Sequence, residues 1–435
     1  MTASISIDFG SAFTKVAVRQ KLNKPSVLIS DGKLVSGFCI PTLAARTERV
    51  GKPRWAYGLD ATEVVAGNGI QVFQNWKSSL FTATPDPEIR PVAVGFFTWL
   101  RHFVARHTEP LGVTDLGSVP VRLSVPAFPI MGIEQENSPQ STELLAILAQ
   151  AGWKADSIRP IISEPETNAI GIYTHGKNST WIPPDIYPRE TCIHFGGMFA
   201  FGGYLASLRN RSLRNGRGSH CVLVIDVGAF TTDLAFLEFD LDNEEESPTT
   251  KVESRALGVH DLDRLVLNQL PPAKAALITN LDALRREELK RSLYSDERPY
   301  LLARNVEIGI DGEIQGIRQC LTGFTNQILQ FVGDFLFQNQ VTQLHELILT
   351  GGGSFIPRLS KHTVNAIVER GLDTRWIHSP ASAHSTPRYI HAHLEPQSTR
   401  GSSALGGASI YFEDELWRST CLAAGSSRSS SHRTA

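Results

Sequence analysis

The chain carries the same short pattern twice, once near its start and once past its middle. An apolar run, an aspartate, a glycine two residues on, small or hydroxyl residues and a second apolar run occur at 5–16 and again at 224–234. Apolar runs bounded by glycine are typical of β-strands, so each copy predicts two strands joined by a tight turn. A pattern repeated at this distance suggests a duplicated architecture with one copy in each half.

Strand-like and helix-like segments alternate through the rest of the sequence. Further β-prone runs lie at 121–126 and 346–350, and apolar residues recur with helical spacing at 141–151, 261–270, 281–293 and 324–338. Such mixing predicts an α/β fold. The length of 435 residues suggests two or three folding units.

Composition excludes several classes of protein. The 42 Lys and Arg nearly balance the 44 Asp and Glu, so net charge gives no general attraction to nucleic acid or to anionic membranes. The sequence contains no run of 18 consecutive apolar residues, so we do not expect a membrane-spanning helix. The five cysteines form no C-x-x-C pair, which indicates thiols in a reducing compartment. With a strand-like run at 5–10 that leaves no room for a signal peptide, we expect a cytoplasmic protein.

The two Asp-x-Gly turns suit a phosphate ligand. A tight turn points several backbone N–H groups at one spot, and Gly10 and Gly228 let the backbone approach a ligand closely. Asp8 and Asp226 would repel phosphate unless a hydrated Mg²⁺ lay between them, because Mg²⁺ keeps its waters and takes one or two carboxylates. Two such turns facing each other would hold phosphates from both sides.

Three further segments add to this picture. A glycine run at 351–353 follows the apolar run 346–350, where bare backbone can pass beneath a flat ligand. Glu164 opens a predicted helix, near its positive end. Glu287, Lys290 and Arg291 fall on one side of another predicted helix.

In this order, the segments resemble the sugar kinase, heat-shock chaperone and actin superfamily, and within it the ATPase domain of the DnaK-type chaperones of the heat shock protein 70 family. Residues 8–15 and 225–234 look like its two phosphate motifs, and 349–357 like its adenosine motif. Residues 161–173 and 403–410 are similar to its two connecting helices. The resemblance covers about residues 4–415.

The resemblance implies a two-lobed, actin-like ATPase fold. Each lobe would be a mixed sheet flanked by helices, with an inserted small subdomain and a cleft between the lobes. Lobe I would span 1–173, with its small subdomain at about 41–118, and lobe II would span 221–400, with its small subdomain at about 258–320. An inserted loop segment at 174–220, a return helix to lobe I at 401–422 and a Ser-rich flexible tail at 423–435 would complete the chain.

It also implies a site for ATP or ADP with Mg²⁺. Asp8, Glu164 and Asp226 would hold the metal through water, Thr231 would orient the attacking water, and Lys77 would be the catalytic lysine. The expected nucleotide contacts are Gly10, Ser11, Ala12, Lys15, Gly228, Ala229, Phe230, Gly258, Glu287, Lys290, Arg291, Gly351, Gly352, Gly353, Ser354 and Phe355.

Four positions depart from the family pattern. Ala12 replaces a hydroxyl residue and Phe230 a third glycine, while Lys15 resembles the phosphate-contacting lysine of actin-type members. Phe355 stands where the family has an arginine that stacks on adenine, so aromatic stacking would replace the cation–π contact. We therefore expect nucleotide binding with slow hydrolysis.

The expected function is a heat-shock-type ATPase acting as a nucleotide-driven conformational switch on a protein partner. The chaperones' peptide-binding domain has no counterpart here, so peptide clamping of that kind is not expected. The alternatives are an actin-like filament-forming ATPase and a small-molecule kinase, which would need a base for a substrate hydroxyl. Residues 174–220 include an aromatic run at 192–208 followed by four arginines at 209, 211, 214 and 217. They suit a loop packed on its own domain, a partner-docking surface or a peripheral membrane contact.

Overall fold

The computed structural model describes residues 3–408, except 21–25, 50–51, 63, 65–68, 82–85, 114, 127–137, 158–159, 176–218, 241–248, 297–299, 304–305, 373, 375, 381–389 and 394–398. Most of the predicted insertion at 174–220, the return helix beyond 408 and the tail at 423–435 lie outside the described residues.

The chain alternates strands and helices. The strands are β1 (Ser4–Phe9), β2 (Phe13–Arg19), β3 (Val27–Leu28), β4 (Ile40–Pro41), β5 (Ala44–Arg49), β6 (Lys52–Tyr57), β7 (Ile70–Phe73), β8 (Pro120–Val125), β9 (Lys154–Ala155), β10 (Ile161–Ser163), β11 (Ser219–Val227), β12 (Thr232–Asp240), β13 (Thr249–Arg255), β14 (Tyr300–Ala303), β15 (Val306–Gly309), β16 (Glu346–Thr350), β17 (Trp376–Ser379) and β18 (Ile390–His393). The helices are α1 (Ile89–Thr108), α2 (Pro139–Gln150), α3 (Glu164–His175), α4 (Val259–Gln269), α5 (Pro272–Thr279), α6 (Ala283–Asp296), α7 (Ile314–Gln338) and α8 (Pro357–Glu369), and residues 402–408 are also helical.

Two larger sheets share one strand arrangement. The first has the order β10-β8-β1-β2-β3, with β4 beside β2 and β9 beside β8, and the second has the order β13-β12-β11-β16-β17-β18. In each, an Asp-x-Gly hairpin (β1–β2 or β11–β12) has a parallel strand (β8 or β16) against its first strand. The sequence repeat therefore corresponds to a repeated β-sheet topology.

Each sheet has its own hydrophobic core. All six residues of β1 are buried, as in strands covered on both faces. In the first core, α1 buries residues at helical spacing, among them Phe96, Phe97 and Leu100. In the second core, α7 does the same with Phe324, Ile328 and others. Two smaller sheets, β6-β5-β7 and β14-β15, lie within 41–118 and 258–320.

Two helical segments cross where the two sheets are joined. Helix α3 follows β10 of the first sheet and contacts β11 and β12 of the second. Residues 402–408 pack against it so closely that a Cβ on Gly171 would lie 1.8 Å from the Ser402 carbonyl oxygen, and one on Gly406 would lie 2.0 Å from that of Thr167. Only glycine fits at this crossing, because any side chain would meet rigid backbone.

The protein is thus a mixed α/β protein, which confirms the predicted fold class at that level. The four predicted β-runs and four predicted helices all form, although α7 begins ten residues before its predicted start at 324. Helices α1, α5 and α8 were not predicted. No helix among the described residues is both long enough and apolar enough to cross a membrane.

Candidate functional site

The first Asp-x-Gly turn lies between β1 and β2. The Gly10 N–H donates to the Asp8 carbonyl oxygen at 3.2 Å, and a Cβ on Gly10 would lie 2.3 Å from the Phe13 carbonyl oxygen, so this turn requires glycine. Lys15 Nζ binds Asp8 Oδ2 at 2.9 Å. The Ser11 hydroxyl is buried and has no hydrogen-bond partner among the described residues. A buried donor left without a partner is costly, and a ligand oxygen would satisfy it.

The second turn is held by the start of α4. The N–H groups of Val259 and His260 donate to the carbonyl oxygens of Gly228 and Ala229, at 3.0 and 2.8 Å. Gly258 allows this approach, since a Cβ there would lie 2.3 Å from the Ala229 carbonyl oxygen. The start of α4 and the second turn are therefore tied to each other by backbone hydrogen bonds.

The side chain of Thr231, the predicted water-orienting residue, is held in place by a hydrogen bond. Its hydroxyl donates to Asp233 Oδ2 at 2.7 Å, and Ser254 Oγ donates to the other oxygen of the same carboxylate. With its proton committed to Asp233, Thr231 Oγ1 can accept a hydrogen bond from a water molecule. Asp233 thus fixes the Thr231 hydroxyl, a contact that sequence reasoning did not identify.

Lys77 and Glu164 form a buried ion pair. Their Nζ and Oε1 atoms are 2.8 Å apart, and Lys77 is only 2% exposed, with its ammonium 5.4 Å from the Phe9 ring centroid. Burial raises the pKa of Glu164 well above its usual range, Lys77 opposes this, and the nearby Asp233 and Asp8 carboxylates add to the rise. The sequence alone does not show which residue pairs with Lys77, and the structure gives it Glu164 as its partner.

Asp226 lies at the end of β11 in a crowded, acidic setting. Its Oδ2 accepts a hydrogen bond from Asn168 Nδ2, and Asn168 Oδ1 accepts one from Ser402 Oγ at 2.6 Å. Burial, followed by repulsion from Asp233 and Asp8, raises the pKa of Asp226 to about 7. A cation placed here would relieve both effects.

The glycine run after β16 passes directly beside Asp226. Gly351 has φ = 80°, and a Cβ there would lie 2.1 Å from Asp226 Oδ1. Residues Gly352–Phe355 form one 3₁₀ turn before α8. The backbone of this loop is therefore bare where it meets the second turn.

On α6, the predicted nucleotide-contacting side chains form a network with α4. Lys290 Nζ binds Glu287 Oε1 and Asp263 Oδ2, both at 2.7 Å, and the Tyr294 hydroxyl donates to Asp263 Oδ1 at 2.7 Å. Lys290 thus holds α6 against α4.

These parts meet around one cavity, hereafter the first cavity, with about 180 Å³ of space. Both Asp-x-Gly turns, although they belong to different sheets, contribute to its wall. The predicted residues that line it are Asp8, Gly10, Ser11, Ala12, Lys15, Lys77, Glu164, Asp226, Gly228, Ala229, Phe230, Thr231, Glu287, Lys290, Arg291, Gly351, Gly352 and Phe355.

Three predicted contacts lie behind the wall instead. Gly258 supports the second turn, a Cβ on Gly353 would lie 2.4 Å from a Val227 methyl group, and Ser354 Oγ donates to the Gly351 carbonyl oxygen at 2.7 Å. These three residues shape the two loops and do not line the cavity.

Sequence reasoning missed other residues of the wall. Arg400 comes from the segment before 402–408, its guanidinium lies 4.3 Å from the Phe355 ring centroid, and its Nη1 donates to Ser36 Oγ at 3.0 Å. Cys39, Asn168 and His260 also line the cavity. Asn168 follows Glu164 by one helical turn, which is a usable signal; Arg400 has none, because only the tertiary fold brings it to Phe355.

The chemistry of the wall fits Mg²⁺ held through water. No three His, Cys, Asp or Glu side chains converge as direct metal ligands within the part of the chain that the structure describes. Asp8 and Glu164 are each paired with a lysine, and Asp226 accepts a hydrogen bond from the Asn168 amide. The three carboxylates therefore have separate partners and do not bind one another. Mg²⁺ tolerates such spacing because it usually keeps several of its waters.

No protein-family model matches the chain, and no curated protein matches it.

Proposed function

We propose that the protein binds Mg·ATP in the first cavity and hydrolyses it slowly, as a two-lobed ATPase with the actin-like architecture. The observation that carries this proposal is that two Asp-x-Gly turns, one from each sheet, line a single cavity together with Gly351 and Gly352. Backbone N–H groups at such turns suit phosphate oxygens, and the buried Ser11 hydroxyl adds a donor without a partner among the described residues.

Each charged residue has a distinct part in the proposed reaction. Bound Mg²⁺, held through water by Asp8, Glu164 and Asp226, would draw charge from the phosphate oxygens. Lys15 and Lys77 supply positive charge at the same wall, which would stabilise the charge that develops on the transferred phosphoryl group. Thr231, fixed by Asp233, would position the attacking water.

The proposed output is a conformational switch. Closing on nucleotide would bring the two sheets together about the crossing of α3 and residues 402–408, whose glycines let the two helices pack closely against each other's backbone. Such a switch would act on a protein partner, as in the heat-shock chaperones that the sequence resembles. Pull-down from the host with the protein held in ATP or in ADP tests this step, and a partner retained equally in both states contradicts it.

Titration calorimetry tests the binding site. We expect Mg·ATP and Mg·ADP to bind, weaker binding without Mg²⁺, and slower ATP turnover in each of Asp8→Ala, Asp226→Ala and Lys77→Ala. Asp334→Ala is the matched control, because the half-buried Asp334 of α7 lies outside the cavity. Three variants with parental turnover and affinity would exclude this site.

An actin-like filament-forming ATPase is the second candidate. It is favoured by Lys15, which lies in the cavity wall against Asp8 where an actin-type lysine would meet phosphate. Filaments that sediment with Mg·ATP would support it, and their absence at high protein concentration would argue against it.

A further inference from the structure

Asn168 lies where the wall of the first cavity meets the helix crossing. It follows Glu164 by one turn of α3, and both side chains line the cavity. Asn168 is only 2% exposed, and both ends of its amide are engaged. Its Nδ2 donates to Asp226 Oδ2, and its Oδ1 accepts from Ser402 Oγ at 2.6 Å. The amide therefore joins a carboxylate of the second sheet to the start of the helical segment 402–408.

The Asp226 carboxylate is restrained on both sides. Asn168 binds its Oδ2, and its Oδ1 lies so close to the glycine loop that a Cβ on Gly351 would clash with it. The hydrogen-bond partner of a metal-binding carboxylate orients that carboxylate, and loss of the partner weakens metal binding. Asn168 has this relation to Asp226.

Ser402 in turn holds Asn168. The Ser402 side chain is completely buried, and its hydroxyl donates to Asn168 Oδ1. An amide can present either its N–H groups or its oxygen to a neighbour, and only the N–H groups suit a carboxylate. Because Oδ1 already accepts the Ser402 proton, the N–H groups are turned towards Asp226. The position of Ser402 thus affects the orientation of a carboxylate that it does not contact.

A neighbouring contact at the same crossing leads nowhere near the metal site. Ser403 Oγ lies 2.7 Å from Thr167 Oγ1, and both side chains are buried. Neither residue lines the first cavity. The crossing therefore contains two similar buried hydroxyl contacts, of which that of Ser402 continues to Asp226 and that of Ser403 does not.

We propose that Asn168 is a positioning residue for the metal site and that it couples the placement of residues 402–408 to the orientation of Asp226. With 402–408 packed on α3, Ser402 and Asn168 hold the carboxylate in one direction at the cavity wall. A shift of this segment would release the amide and lower the affinity for Mg²⁺. By reciprocity, bound Mg²⁺ favours the packed crossing. This inference rests on the proposed Mg·ATP site.

Titration calorimetry with ADP, in the presence and absence of Mg²⁺, tests the positioning role without any turnover. The measured quantity is the metal enhancement, the factor by which Mg²⁺ strengthens ADP binding to the full chain. Asn168→Leu keeps the branched skeleton of the side chain and removes both hydrogen bonds. We expect the metal enhancement to fall about tenfold, with the affinity for metal-free ADP unchanged.

A merely structural role of Asn168 gives a different result. Loosened packing would weaken ADP binding equally with and without Mg²⁺, and the metal enhancement would stay at the parental value. That result would overturn the proposal.

The two serines provide matched variants. Ser402→Ala should lower the metal enhancement about threefold, as expected for one neutral hydrogen bond that acts through another residue. Ser403→Ala is the control and should leave it unchanged, since it removes a buried hydroxyl from the same crossing. Equal effects of the two variants would contradict the route through Asn168.

A double variant tests whether Ser402 acts through Asn168. Adding Ser402→Ala to Asn168→Leu should lower the metal enhancement no further, because the contact that Ser402 makes is already lost. A further fall would contradict the coupling.

Hydrogen exchange of the backbone amides at 402–408 tests the reciprocal effect. In the parent, Mg·ADP should slow this exchange more than ADP alone, and the difference should disappear in Asn168→Leu. A difference of the same size in parent and variant would overturn the coupling.

The parent protein distinguishes the two possible failures. If ADP does not bind with or without Mg²⁺, the proposed function fails and this inference fails with it. If Mg²⁺ strengthens ADP binding in the parent and equally in Asn168→Leu, only the positioning role fails.

Discussion

Replacing Asp226 with asparagine should make the protein more stable at neutral pH. Asp226 is buried between Asp233 and Asp8, and these surroundings raise its pKa from 3.8 to about 7. The folded state therefore holds this proton more tightly than the unfolded chain, so the contribution of Asp226 to stability falls as pH rises from about 4 to about 7. Asparagine keeps the shape and a hydrogen-bond acceptor for Asn168 but carries no charge.

The size of the effect follows from the pKa. A rise from 3.8 to about 7 corresponds to about 4 kcal/mol against the ionised form, at ~1.4 kcal/mol per pKa unit. Because Asp226 lines a cavity that water can enter, we expect about half of this, ~2 kcal/mol, at pH 8. The difference between variant and parent should shrink towards zero near pH 4, where both side chains are neutral.

Urea denaturation at several pH values between about 4 and 8 measures this difference directly. Asp334→Asn is the control, since the Asp334 side chain is 44% exposed and its carboxylate is 3.9 Å from the Arg255 guanidinium. The Asp226→Asn variant should also lose Mg·ATP binding, which would link the destabilising charge to function. A variant no more stable than its parent at pH 8, or a difference that does not grow with pH, would refute the reasoning.

Three further predictions concern single contacts. Lys77→Met should lower the free energy of unfolding by about 3 kcal/mol at pH 8, because Glu164 is left buried without its cation, and adding Glu164→Gln should restore most of that loss in the same urea assay. Arg400→Ala should weaken ATP about fivefold in calorimetry but not inorganic tripolyphosphate, if the guanidinium contacts the base; equal weakening of both would place it at the phosphates. Gly406→Ala should lower the free energy of unfolding by more than ~3 kcal/mol or prevent folding. Gly323→Ala, with open space around it in α7, should raise the free energy of unfolding by ~0.5–1 kcal/mol. The opposite order of the two variants would contradict the helix crossing.

Local pattern was enough to predict the loops of the site. An Asp-x-Gly turn between apolar runs depends on residues that are adjacent in the chain, and Gly10 and Gly351 occupy backbone positions that other residues cannot adopt without a clash. The start of α3 at Glu164 was likewise predicted from its neighbours. Helix α1 buries residues at helical spacing, so its sequence also contains the signal needed to predict it.

Contacts between distant residues could not be predicted in this way. Arg400 meets Phe355 only after the chain returns from the second sheet, and Asn75 meets His260 only when two distant parts of the chain come together in the fold. The partner of Lys77 also depends on packing, because the rings around it exclude water and leave Glu164 as its counter-charge. Periodicity gives the elements, but not which side chains face one another across a cavity.

The lysine–carboxylate pairs have a consequence for ligand entry. Lys15 and Lys77 already neutralise Asp8 and Glu164, so an arriving metal would displace internal cations and would not meet bare negative charge. The released ammonium groups would be free to turn to the phosphates. The metal would thus replace cations that already belong to the protein, and few ions would be taken up from bulk solvent. Affinity for Mg·ATP should accordingly vary little with salt concentration, unlike that of a site built on exposed cations.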